Sequence, residues 1–113
     1  MYSYTTLSQT APDYAVMGPC KAALEASVRQ LAAELGPAAV TANSISAGPI
    51  NTLAARGINN FSQLASAAEQ RQLNTARVTA ADVGNMSVFL GSPSAAAVTG
   101  QTLFVDGGFS AAL

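Results

Sequence analysis

The chain of 113 residues has no histidine and a single cysteine, Cys20. One thiol excludes an internal disulfide. Without histidine or a second cysteine, a structural zinc site has no ligand set. Charge is scarce as well, with five Lys and Arg against six Asp and Glu and a formal net charge of −1. A nucleic-acid footprint needs clustered cations, so a nucleic-acid partner is excluded. No apolar run approaches the ~18 residues that read as a membrane span, and the first residues lack a signal-peptide pattern. The expectation is a cytoplasmic protein with no metal, no membrane and no nucleic acid.

What is abundant is apolar surface. Hydrophobic residues make up 50% of the chain and charged residues 10%, against about 25% charged in an average soluble domain. The length allows one domain at most. Such a chain is expected either to bury surface against copies of itself or to be a piece of something larger. Alanine also inflates the apolar count without adding much hydrophobic surface.

Hydrophobic periodicity predicts a helix over residues 14–35, with Val16, Cys20, Ala23, Leu24, Val28, Leu31 and Leu35 on one stripe. Pro19 fits only in its first turn, and Gly36-Pro37 stops it. Residues 40–46 read as a short strand before the turn Ala47-Gly48-Pro49-Ile50. Residues 51–60 read as a loop and 61–73 as a polar surface helix. A third helix opens at Thr79-Ala80-Ala81-Asp82 in a capping-box arrangement, buries Val83, Met86 and Leu90, and ends at Gly91. Residues 101–106 form a second strand that Gly107-Gly108 ends. Two strands joined through helices should pair in parallel, giving an α/β layered arrangement. Two such strands are too few to stand alone, because parallel sheets need cover on both faces.

Tyr14 and Lys21 stand seven residues apart, almost two helical turns. On one helix face, a phenol beside an ammonium is an acid–base pair, because the cation favours phenolate. The same spacing also arises wherever a helix has a Tyr and a Lys on one face.

Three segments together resemble the short-chain dehydrogenase/reductases, and more narrowly the bacterial enoyl-acyl carrier protein reductases. The first is Tyr4, then Tyr14 ten residues on and Lys21 seven further, followed by Ala22-Ala23-Leu24-Glu25-Ala26. Carbonyl-reducing relatives generally place the lysine four residues after the tyrosine, so the wider gap discriminates. The second is Asn43-Ser44-Ile45-Ser46-Ala47-Gly48-Pro49-Ile50 with Thr52-Leu53-Ala54-Ala55. The third is Val78-Thr79 through Asp82-Val83-Gly84-Asn85, then Phe89-Leu90 and Val105-Asp106-Gly107-Gly108-Phe109. The resemblance runs from residue 3 to the end.

The resemblance implies a Rossmann-like doubly wound parallel sheet, of which 1–113 would be one partial domain with the last two strands and flanking helices. It implies NADH as cofactor and an enoyl thioester on acyl carrier protein as substrate. Tyr14 and Lys21 would be catalytic, with Tyr14 stabilising the enolate and Lys21 holding the nicotinamide ribose. Ala47, Gly48, Pro49, Ile50 and Thr52 would meet the cofactor. Tyr4, Tyr14, Met17, Leu53, Ala54, Ile58 and Phe61 would line the substrate site, with 51–77 as a lid region. Met17 and Phe61 also read as ordinary core residues, Gly48-Pro49 as a plain turn, and Asp106-Gly107-Gly108 as a strand-ending turn. Family members are commonly tetramers, so a homo-oligomer, tetramer or dimer, is expected.

The chain departs from the family pattern in several places. The glycine-rich loop that would take the pyrophosphate is absent, so the first strands are expected on a missing N-terminal half. The segment 70–77 lacks the Pro and the correctly placed Arg usual before the third helix, and Pro19 stands just upstream of Lys21. Two alternatives stay open: a non-catalytic remnant or oligomerisation module of the same fold, and a carbonyl-reducing dehydrogenase. The latter expects a Ser thirteen residues before the tyrosine, where Met1 stands.

Overall fold

A computed structural model of the chain describes residues 16–50 and 61–112. Helix α1 spans Met17–Leu35, strand β1 Ser44–Ala47, helix α2 Phe61–Arg71, helix α3 Ala80–Leu90 and strand β2 Thr102–Val105. The predicted order of elements is the observed order. Residues 1–8 and 51–60, expected as a strand tail and a loop, lie outside the described residues, as does the predicted start of the first helix at 14.

The two strands form a two-stranded sheet. The Ser44 N–H donates to the Gln101 carbonyl at 2.9 Å and the Gly48 N–H to the Val105 carbonyl at 3.0 Å. Both chains advance four residues between these bonds, so the strands are parallel. The Ser44 and Thr102 hydroxyls, 2.8 Å apart, fix the same register from the side chains.

The first strand is shorter than the predicted 40–46 and shifted toward the turn. Side chains replace the ladder before Ser44. Asn43 donates its side-chain amide to the Val98 carbonyl at 2.8 Å and accepts the Gln101 N–H at 3.1 Å. The Ala42 N–H goes to the Thr99 hydroxyl at 3.1 Å. Asn and Thr side chains compete with backbone pairing in this way.

The stripe predicted on α1 is present but not buried. Leu24 is 51% exposed and Leu31 45% exposed, and Val16 and Leu35 are exposed too. Ala32 alone in this helix is buried. Periodicity identified a face, and no described element covers it. In α2 the polar residues are exposed as expected, but Ala65 and Ala68 are buried. The α3 stripe of Val83, Met86 and Leu90 is only half-buried, and Val88 and Phe89 are exposed.

The α3 start follows the capping-box reading closely. One Asp82 carboxylate oxygen accepts from the Thr79 hydroxyl and from the Thr79 N–H, each at 2.7 Å. The Asp82 N–H points back to the Thr79 hydroxyl at 3.4 Å. These bonds, the side-chain one first, hold the Asp82 carboxyl below its ordinary 3.8.

The described residues group into two compact units. One holds described residues of Ile45–Ser87 and Phe104–Leu113, the other those of Ser3–Ser44 and Val88–Leu103. The buried apolar residues are small: Ala32, Ala47, Ala65, Ala68, Val78 and Ala95. Among the described residues no large side chain is fully buried.

Candidate active site

Lys21 is the fifth residue of α1, in the second unit, with a half-buried side chain. Pro19 is the third helical residue, so its missing N–H falls where the helix has no partner for it. The turn closes normally, with the Cys20 N–H reaching the Val16 carbonyl at 3.3 Å. Pro19 therefore leaves α1 continuous through Lys21. Met17 opens the helix and is 38% exposed within this chain.

The other candidates that the structure describes lie in the first unit, where β1 ends. Ser46, Ala47, Gly48 and Pro49 are buried and Ile50 is half-buried. Gly48 is opposite Asp106 in the register, and a Cβ there would stand 3.1 Å from the Asp106 Cα. That is tight packing against backbone, so a side chain at this position would require the strand end at Asp106 to give by a few tenths of an ångström. Its N–H is also used, by Val105. Pro49 has no N–H. Neither Gly48 nor Pro49 therefore has a backbone N–H left for a ligand.

Beside it the end of β2 is tied off. Asp106 is 7% exposed and accepts the Gly108 N–H and the Ser110 N–H with its two carboxylate oxygens, each at 2.9 Å. Gly107 and Gly108 have φ of 64° and 84°, where a side chain is strained. The plain turn reading of Asp106-Gly107-Gly108 holds.

Tyr4, Tyr14, Thr52, Leu53, Ala54 and Ile58 lie outside the described residues, and of Phe61 only its place at the start of α2 is described. Sequence reasoning did not find that the turn after β2 also holds the end of α2, through bonds detailed below. The available signal was an Asp followed by two glycines at a strand end. Among the described residues there is no group of three metal-ligating side chains and no helix long and apolar enough to cross a membrane.

A parallel α/β sheet with helices in its crossover and a buried, glycine-containing exit from a strand belongs to the doubly wound class. Such sheets bind ligands outside the carboxyl ends of their strands. The family model for enoyl-(acyl carrier protein) reductase matches residues 1–110, and the chain belongs to that family. It is 46% identical over 110 residues to the NADH enoyl-[acyl-carrier-protein] reductase FabI of Escherichia coli, covering 97% of this chain and 42% of that protein. With FabI of Bacillus subtilis the identity is 46% over 98 residues, 87% of this chain and 38% of the relative. The enoyl-acyl-carrier-protein reductase of Plasmodium berghei, solved with triclosan, superposes with a TM-score of 0.91 at 35% identity, covering 98% of this chain and 39% of that one. The Anaplasma phagocytophilum enzyme, solved with NAD, gives 0.85 at 34% identity, covering 99% and 40%. The chain thus spans about two-fifths of the length of the relatives it matches.

Proposed function

We propose that the chain is the C-terminal, partial-domain portion of an NADH-dependent enoyl-acyl carrier protein reductase. The observation that carries this is the family match over residues 1–110, which includes Tyr14 and Lys21 with their seven-residue gap. The substrate is an enoyl thioester on acyl carrier protein. When bound, NADH supplies the hydride that reduces the 2,3 double bond.

The residues at the end of β1 suit a nicotinamide. Ala47, Gly48 and Pro49 are small, uncharged and buried, which favours a flat, uncharged ring over a phosphate. The Ile50 backbone would hold the carboxamide, with Thr52 beside it. Lys21 would hold the ribose hydroxyls through its ammonium donors. Tyr14 would donate its O–H to the thioester oxygen and stabilise the negative charge that develops there, as a preorganised donor does. Tyr4, Met17, Leu53, Ala54, Ile58 and Phe61 would line the acyl site, with residues 51–77 as its lid. The chain carries no glycine-rich loop for the pyrophosphate, so that contact must come from elsewhere. The proposal includes self-association, for which the exposed apolar face of α1 is available, and a cytoplasmic location.

The test is complementation. The chain is mixed with the N-terminal portion of the Escherichia coli relative, NADH and a crotonyl thioester, and the nicotinamide absorbance is followed. Turnover is expected in the mixture and not with either part alone. Tyr14→Phe should lower it by about 10²–10³, the usual cost of one lost oxyanion donor. No turnover in the mixture, or turnover indifferent to Tyr14→Phe, overturns the proposal.

A further inference from the structure

The turn that ends β2 carries more hydrogen bonds than a change of direction requires. The Gly107 carbonyl accepts two amides, from Leu73 at 3.0 Å and from Asn74 at 2.9 Å. These are the residues just past α2, and the Gln72 N–H still closes the helix onto the Ala68 carbonyl at 3.1 Å. The glycines leave room for the same segment. A Cβ on Gly107 would stand 3.0 Å from the Gln72 side chain, and one on Gly108 3.0 Å from Leu73 Cβ. Beyond the turn, the Arg71 guanidinium lies over the Phe109 ring, 5.0 Å from its centre. All of these residues belong to one compact unit.

We infer that the Asp106–Phe109 turn is a clasp that fixes the C-terminal end of α2, with Arg71 on Phe109 as its side-chain latch. Asp106 shapes the turn by accepting the Gly108 and Ser110 amides. The shaped turn presents the Gly107 carbonyl to the helix end. Arg71, the last residue of α2, closes the contact from the other side. The segment 70–77 lacks the Pro and the correctly placed Arg that the family resemblance leads one to expect, and the latch gives α2 an anchor that does not use them. Arg77 is engaged elsewhere, paired with Glu69 at 2.8 Å. If α2 belongs to the substrate lid, which rests on the function proposed above, then Asp106, Arg71 and Phe109 are positioning residues for that lid.

The clasp is tested without substrate or cofactor, so its failure is separable from failure of the proposed activity. Backbone hydrogen–deuterium exchange is measured by segment on the full chain and on three variants. Phe109→Leu keeps an apolar side chain and removes the ring face. Phe109→Tyr keeps the face. Arg71→Gln removes the cation. A cation–π contact of this kind corresponds to about a two- to fivefold change in local opening. Phe109→Leu and Arg71→Gln should speed exchange over residues 66–74 by about that factor and leave α1 and α3 unchanged, while Phe109→Tyr behaves as the parent chain. Unchanged exchange in 66–74, an equal rise in α1 and α3, or a Tyr variant as fast as the Leu variant overturns the clasp.

Discussion

Helix α1 and the turn at Asp106–Phe109 are opposites. The helix is the longest element among the described residues, 19 residues, yet it buries only Ala32. It has no side-chain cap, no acid in its first turn and no base in its last. The turn is four residues long, and a buried carboxylate, two left-handed glycines and hydrogen bonds from the amides of Leu73, Asn74, Gly108, Phe109 and Ser110 hold it in place. The helix depends on cover for its apolar face, since most helical stability in proteins comes from packing. The turn is specified locally, because the hydrogen bonds that hold it lie within one compact unit.

The sharpest way to break this contrast is Asp106→Ala. It strips two half-buried amides of their acceptor, and a polar group left unsatisfied away from water costs about 1–3 kcal/mol. A loss of at least about 2 kcal/mol is expected in denaturant unfolding of the chain. A loss below about 0.5 kcal/mol would mean that water replaces the carboxylate and that the turn is not the rigid region.

Gly48→Ala comes next. Its Cβ would meet Asp106 backbone at 3.1 Å, and strands paired on both sides of that contact cannot give by moving a side chain. Overpacking of this kind costs about 1–3 kcal/mol. The measurement matters for function too, because Gly48 was expected as a cofactor contact. If unfolding shows the full cost, the glycine is required by the sheet, whatever binds beside it.

The contrast extends to the helix starts. Thr79→Ala removes the hydroxyl that caps α3 and should cost about 1 kcal/mol near neutral pH. The same change at an exposed position of the uncapped α1 start removes no cap. The cap also carries a pH signature. The Asp82 carboxyl is held below 3.8 by Thr79, the hydroxyl first and the backbone N–H second. A carboxyl depressed in the folded state adds stability above its unfolded value and loses it as pH falls through the folded one. The difference between the parent chain and Thr79→Ala should therefore shrink as pH drops below 3.8. A difference that is constant through that range would show that Asp82 does not depend on the Thr79 hydroxyl.

These cases show which parts of the fold the sequence discloses. Thr79 and Asp82 could be read because capping chemistry lies within four consecutive residues. The parallel pairing could be read because a crossover through helices permits little else. The start of β1 could not, because Asn43 uses a side chain to reach Val98 and Gln101, far along the chain. The contact of α2 with this turn could not, because it joins Arg71–Asn74 to Gly107–Phe109 across more than thirty residues, and the Asp-Gly-Gly signal marks the turn without naming what it holds. At the candidate site, the family resemblance pointed to Lys21 and Gly48-Pro49. That Gly48 packs tightly against Asp106 emerged only from the three-dimensional register.

The smallest expected effect falls on α1, and it tests the other half of the comparison. Leu31 is 45% exposed, so Leu31→Ala in dilute solution should change stability by no more than about 0.5 kcal/mol, as exposed substitutions do. A covered leucine would cost about 2–5 kcal/mol instead. The two outcomes separate by protein concentration. If copies of the chain associate through this face, the parent gains stability with concentration by mass action and Leu31→Ala does not, so the gap between them widens on concentrating the sample. A gap already of 2 kcal/mol at the lowest measurable concentration would show that something within the monomer covers the stripe, and α1 would no longer stand as the opposite of the turn.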